Sequence, residues 1–182
     1  MKRRNLIAGA AGLAVASSLP VAAQTAAPPK VQGGKVDQGD VVEVKVVAVY
    51  SPTGPEGDST SIVVLKALNA EKYLLLWINR AEGHSIDVRL KGIKLQRPLS
   101  HDLMVQLVKA LDGQVKAVSV RSLEENVFYA TITVVSKDKS EDIDSRPSDA
   151  IALATRLEAP IYVATALLQD TTLEQLNERW NK

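Results

Sequence analysis

Cysteine is absent from the 182 residues. Disulfides, thiolate metal sites and a cysteine nucleophile are therefore excluded together. Aromatic residues are scarce at 4%, with a single Phe, so the core has to be built from Val, Leu, Ile and Ala. The same scarcity argues against extended stacking platforms for single-stranded nucleic acid. No HExxH, glycine-rich phosphate loop or Gly-x-Ser-x-Gly elbow occurs, which leaves zincin, P-loop and α/β-hydrolase chemistry without a motif. No stripe of Lys and Arg interleaved with aromatics is present either. Apolar runs are too short and too weak for a transmembrane helix, so no stable membrane span is expected in the processed chain.

What is present begins with an export signal over residues 1–23. Lys2-Arg3-Arg4 forms a basic start, Leu6 to Leu19 a mildly apolar stretch, and Val21-Ala22-Ala23 a small-residue cleavage site. The paired arginines before Asn5-Leu6-Ile7 fit a twin-arginine signal as well as an ordinary secretory one. Either predicts a bacterial periplasmic or secreted protein. The full chain carries 22 basic and 21 acidic residues; without the three basic residues of the signal, 19 face 21, a net charge of −2. Such a chain has no global attraction for nucleic acid, and any contact with it needs a local basic patch or a bridging metal ion.

Residues 24–39, with Pro28-Pro29 and Gly33-Gly34, read as a flexible linker. A domain is expected over 40–168, followed by a carboxy-terminal amphipathic helix over 169–182. Within the domain, Val41 to Tyr50, Ile62 to Leu68 and Lys72 to Ile78 read as strands, the last nearly all apolar and expected to be central. Asn79 is predicted to cap a helix reaching about Lys91, with Glu82 as its capping-box partner and Gly83 weakening it by roughly 1 kcal/mol relative to Ala. Ser100 is predicted to cap a second helix that buries Leu103, Leu107, Val108 and Leu111 and stops at Gly113. Val115 to Leu123 and Val127 to Val135 read as a hairpin around Glu124-Glu125-Asn126. Its second strand presents Phe128, Ala130, Ile132 and Val134 on one face. A short strand over Pro160 to Val163 follows, and in the last helix Leu173, Leu176 and Trp180 share a face, with Thr171 and Glu174 as a capping box. The fold class is α+β: mixed or antiparallel sheets with packed helices.

The polar exception in this aliphatic chain is Asp142-Ile143-Asp144-Ser145-Arg146-Pro147-Ser148-Asp149, a strand running into a helix whose first position suits Pro147. The residues after it are Ala-rich and apolar until Arg156. Leu74 to Gly83 echoes this arrangement, aligning Glu82 with Asp149 and Ala81 with Ser148, which suggests an internal duplication of a β-rich strand-to-helix unit. On that alignment Asp149 and Ser148 have a structural reading as helix-start residues. Asp144 and Arg146 align with Trp77 and Asn79, and are charges that the echo does not require. They read either as an ion pair or as part of a site.

Three segments carry a family resemblance. They are Ile143 to Ala154 with Ala159-Pro160-Ile161-Tyr162-Val163, then Arg97-Pro98-Leu99-Ser100-His101-Asp102-Leu103, and Leu76-Trp77-Ile78 with Ala81-Glu82. Together they resemble the bifunctional nuclease domain family, in that family's order and over about residues 41–165. The resemblance implies a compact α+β domain that self-associates as a homo-oligomer and hydrolyses phosphodiester bonds in DNA and RNA. Such hydrolysis needs an activated water and stabilised phosphoryl oxygens, and carboxylates holding Mg²⁺ or Mn²⁺ commonly supply both. Asp144 and Asp149 are the candidate metal ligands, with Asp142 or Asp102 beside them. Arg146 is the candidate phosphate clamp and His101 the general acid or base. The expected catalytic set is thus Asp144, Arg146, His101 and Asp102. The alternative is a non-catalytic binding or assembly domain of the cell envelope that keeps the fold.

Overall fold

The structure is a computed structural model that describes residues 40–51, 59–137 and 139–180, without the side chains of Asn177, Arg179 and Trp180. The export signal, the linker and most of the Ser51–Asp58 loop lie outside the described residues. Eight strands are present: β1 Val41–Tyr50, β2 Thr60–Ala67, β3 Lys72–Asn79, β4 Gly113–Glu124, β5 Val127–Ser136, β6 Lys139–Ser145, β7 Ile161–Ala164 and β8 Gln169–Asp170. The α-helices are α1 Arg80–Leu90, α2 Ser100–Ala110, α3 Pro147–Leu157 and α4 Leu173–Trp180. The strands form one mixed sheet in the order β6-β5-β4-β7-β1-β2-β3-β8, parallel between β4 and β7 and antiparallel elsewhere. The α+β expectation holds.

Alternation along β2 and β3 decides which face each residue covers. Val63, Leu65, Leu74 and Leu76 enter the main core beneath α1, α2 and α3, while Ile62, Val64, Tyr73 and Leu75 form a smaller core closed by Leu176 of α4. Strand β3 is buried on both faces, as its apolar run predicted, but it is next to the edge, and β7 and β1 hold the middle. The β4–β5 hairpin closes through Glu125 and Asn126, both at positive φ (47° and 66°), the signature of a type I′ turn. Phe128, Ala130, Ile132 and Val134 all face the main core, as expected.

Helix α3 is the axis of the core. Ala150, Ile151, Ala152 and Ala154 are fully buried, and their small side chains let α1 and α2 pack close on either side. Pro147 stands at its first position, as expected. Gly83 has a packing role beyond its cost to α1: a Cβ there would collide with Cβ and Oγ of buried Ser61 on β2.

Several local expectations are corrected. Leu99, not Ser100, is the N-cap of α2, and of the predicted stripe Val108 packs on the core, together with Val105 and buried His101, while Leu103, Leu107 and Leu111 are exposed. The left-handed residue after α2 is Asp112 (φ 54°), and Gly113 already belongs to β4. The carboxy-terminal capping pair is Thr172 with Gln175, one residue beyond the predicted one. The two strand-to-helix turns do correspond, Asn79 and Arg146 each being an N-cap. Their surroundings differ: β3 pairs on both sides, whereas β6 is an edge strand, so the likeness stays local.

Candidate functional site

Three helices start at one place, and each has a carboxylate at its third position: Glu82 in α1, Asp102 in α2 and Asp149 in α3. The positive ends of helix dipoles favour negative charge there. Only Asp102 also serves as a cap, its Oδ2 accepting the Leu99 N–H at 2.8 Å. Asp149 stands in the first turn of α3, as its structural reading expected, but no hydrogen bond among the described residues joins its carboxylate to the helix backbone. Its carboxylate turns instead toward Arg146 and His101, where it forms the centre of a polar cluster.

Arg146 grips Asp149 with two donors, Nε to Oδ2 at 2.8 Å and Nη2 to Oδ1 at 3.1 Å, and its Nη2 also lies 3.1 Å from Glu82 Oε1. The N-cap residue of α3 thereby ties α3 to α1. His101, 6% exposed, places Nε2 3.1 Å from Asp149 Oδ1 and Nδ1 2.9 Å from Ser85 Oγ. A carboxylate only accepts, so Nε2 carries the proton and Nδ1 accepts from the Ser85 hydroxyl. Ser85 Oγ accepts in turn from Arg156 Nη2 at 2.9 Å. Arg156, its side chain 5% exposed, further donates to Asp102 Oδ1 (2.6 Å), Ser85 O (3.2 Å) and Ala152 O (3.1 Å). A continuous chain of hydrogen bonds thus runs from Asp102 through Arg156, Ser85, His101 and Asp149 to Arg146 and Glu82.

The electrostatics follow from these contacts. Burial pushes the Asp149 carboxyl up, but hydrogen bonds from Arg146 and His101 outweigh it, and the pKa lies below the ordinary carboxylate value. Asp102 behaves alike: burial raises it, and Arg156 and the Leu99 N–H pull it down further than burial lifts it. The Arg146 guanidinium is held above its usual value, chiefly by its hydrogen bond to Asp149. Glu82 has one oxygen, Oε2, buried without a hydrogen-bond partner among the described residues. The cluster borders an open cleft of about 290 Å³ between Glu82, Ser85, His101, Met104, Arg146 and Asp149. Arg146 stands at its mouth with its side chain 61% exposed, while His101 is buried behind it.

Of the residues expected from sequence, Arg146, His101 and Asp149 come together here. Asp102 lies one step behind, joined through Arg156 and Ser85. Asp144 stays apart: it is exposed on β6 opposite Thr131, lines neither cleft beside Arg146, and is not its ion-pair partner. Asp142 pairs with Arg121 and Thr133 on the same exposed sheet. Among the described residues no three His, Asp or Glu side chains converge as a metal site. Asp144 and Asp149, the metal ligands expected from the sequence, stand on different elements, β6 and α3. Ser85 and Arg156 were missed. Arg156 had a signal: it ends a buried Ala-rich run seven residues after Asp149, two helical turns along the same face. Ser85 had none, since its value comes from a contact with α2.

Comparison with known proteins agrees with the resemblance noted in the sequence. A family model described as the bifunctional nuclease domain matches residues 63–175, from within β2 to within α4, and so includes every member of the cluster. An uncharacterised protein of Mycobacterium tuberculosis, in strains CDC 1551 and H37Rv, is 34% identical over 131 residues, covering 72% of this chain and 76% of the relative. With a match of that extent across both cores and all three converging helices, the chain belongs to the bifunctional nuclease domain family.

Proposed function

We propose that this chain hydrolyses phosphodiester bonds of DNA or RNA at the cleft bordered by Arg146, Asp149 and His101. One observation carries the reading: an exposed guanidinium stands at the mouth of a cleft that has a proton-bearing imidazole behind it. Asp149 and Glu82 engage Nε and Nη2 of Arg146, and its Nη1 has two further N–H donors for a phosphate oxygen. Hydrolysis forms a bond from a water oxygen to phosphorus and breaks the bond to the leaving oxygen, which must take up a proton. His101 is the group at the site whose ring nitrogens both give and take protons. Asp149 stays ionised and holds His101 and Arg146 in register.

The test incubates the purified chain with plasmid DNA and with RNA, in Mg²⁺, in Mn²⁺ and in chelator. Arg146→Ala and His101→Asn are expected to lose cleavage at least about tenfold, in the range typical of losing a charged contact or a general acid. Asp144→Asn, at a residue that lines neither cleft, is expected to retain it. Cleavage that survives the first two substitutions removes this site. Restoration by Mg²⁺ or Mn²⁺ after chelation supports the divalent cofactor expected from sequence.

The second reading is a binding or assembly domain without hydrolysis. It is favoured by the outward face of α2, where Leu103, Met104, Leu107 and Leu111 are 40–74% exposed. Self-association through this face belongs to either reading, and Leu107→Lys is expected to reduce the sedimenting mass if it is used. Export belongs to the proposal as well, on the strength of residues 1–23, and recovery of the chain in a periplasmic fraction tests it.

A further inference from the structure

Arg146 borders a second cleft of about 440 Å³, within the range of small-molecule sites (about 300–1,000 Å³). It opens between the end of β3, the β4–β5 turn and the start of α3. Strands β3 and β5 are far apart in the sheet order yet both line it, so the sheet curls to bring them together. Its lining includes Trp77, Phe128, Asn79 and Asn126. Phe128 is the single Phe of the chain, and Trp77 is one of two Trp. In a chain with 4% aromatics, their meeting at one cleft is a concentration. Core packing does not require Trp77 to be there, since it is 36% exposed where its neighbour Leu76 is 1% exposed.

We infer that this second cleft receives one unstacked base of a single-stranded nucleic acid, whose adjoining phosphate is the one held by Arg146. The inference rests on the phosphodiester reading for the phosphate contact, and adds to it the substrate class. Aromatic faces and a guanidinium plane accept any base by stacking, and side-chain amides offer both a donor and an acceptor to a base edge. The exposed Trp77 ring supplies the first kind of contact here, Asn79 and Asn126 the second, with Phe128 packed on the main core behind the cleft's lining. Because Arg146 is common to both clefts, a phosphate on it leaves the base of the same nucleotide within reach of the second cleft. In a duplex that base is stacked and paired, so single strands are the substrates that fit. This is one subsite, and the shortage of aromatics elsewhere limits it to that.

The experiment measures binding in chelator, independently of cleavage, using the Trp180→Phe chain so that Trp77 is the sole tryptophan. The probes are a short mixed-sequence DNA single strand, an abasic strand of equal length, and the corresponding duplex. The base-bearing strand is expected to quench Trp77 and to bind roughly 5- to 150-fold more tightly than the abasic strand, the range for one stacked base. With labelled strands, Trp77→Leu lowers this preference toward unity and Trp77→Tyr preserves most of it. Equal affinity for base-bearing and abasic strands overturns the inference, as does equal quenching by the duplex. The abasic comparison needs no variant in the cleft, so misfolding of Trp77→Leu does not blunt it. Base-dependent binding without any cleavage would sink the hydrolase reading and leave the base subsite standing. Cleavage with base-indifferent binding does the reverse.

Discussion

Replacing Arg156 with Met removes the buried cation while keeping most of the side chain's volume. The substitution deprives Asp102 Oδ1 and Ser85 Oγ of a donor at once, whereas Ser85 O and Ala152 O remain within helices α1 and α3. Breaking one side of a buried ion pair typically costs about 3–5 kcal/mol. Asp102 is 37% exposed, so water re-solvates part of its charge and the low end applies to the pair. The loss of the donor to Ser85 Oγ, in a residue 3% exposed that keeps its bond to His101, adds about 1 kcal/mol. The expected loss is therefore about 3–4 kcal/mol, a large share of the 5–15 kcal/mol typical of a domain. Arg89 is the internal control: it bonds Glu158 and Thr155 O from a side chain 42% exposed, and Arg89→Ala should cost no more than about 1 kcal/mol. Urea denaturation with an unchanged slope measures both, and a double-mutant cycle with Asp102→Asn isolates the pair. A loss for Arg156→Met no larger than that for Arg89→Ala would refute the buried-network reasoning.

Three further outcomes follow from particular contacts. Gly83→Ala should gain about 1 kcal/mol of helix propensity and lose more to the collision with buried Ser61; net stabilisation in thermal melts would contradict the close packing of α1 on β2. Asp102 and Asp149 have carboxyls held below the ordinary value, so their contribution to stability is fully present above the unfolded pKa of about 3.9 and lost as pH falls through the lower folded value. Melting temperature against pH should fall in acid, and Asp149→Asn should flatten part of that fall; an unchanged acid limb counts against the cluster. At the hairpin, Glu125 holds a left-handed conformation that Asn tolerates better, and Glu125→Asn should stabilise the domain by about 0.5 kcal/mol, with no gain in a melt being the contrary result.

Much of the fold could be read from local pattern, because local physics decided it. The period-two runs of β1 and β5, Pro147 at a helix start and the turn between β4 and β5 all appear where backbone preference places them. Helix α2 shows where that approach fails. Its apolar residues Leu103, Leu107 and Leu111 are spaced as a buried stripe, yet the helix faces the core with His101, Val105 and Val108. The reason is tertiary: His101 is held between Ser85 and Asp149 and Asp102 is bound by Arg156, which fixes the rotation of α2 and leaves its leucines outside. Likewise Asp144 and Arg146, two residues apart, have different partners because β6 stops between them: Asp144 lies opposite Thr131, and Arg146 pairs with Asp149 and Glu82. A one-dimensional reading kept them together.

The deeper lesson concerns Asp149. Sequence logic offered two exclusive roles, a helix-start carboxylate or a functional group, and its alignment with Glu82 favoured the first. The structure removes the exclusion. A carboxylate at the third position of a helix is favoured by the dipole whether or not it bonds the helix backbone, and with its cap bond unmade its two oxygens are available to Arg146 and His101. The same logic places Glu82 and Asp102 at the starts of their own helices. Three helix starts thus bring three acids into one corner, and their two cationic partners, Arg146 and Arg156, lock the helices against each other. The echo between the two strand-to-helix turns explains why an acid stands at each. What sets the corner apart as a candidate site is the pair of residues the echo does not supply, Arg146 at one N-cap and His101 on α2.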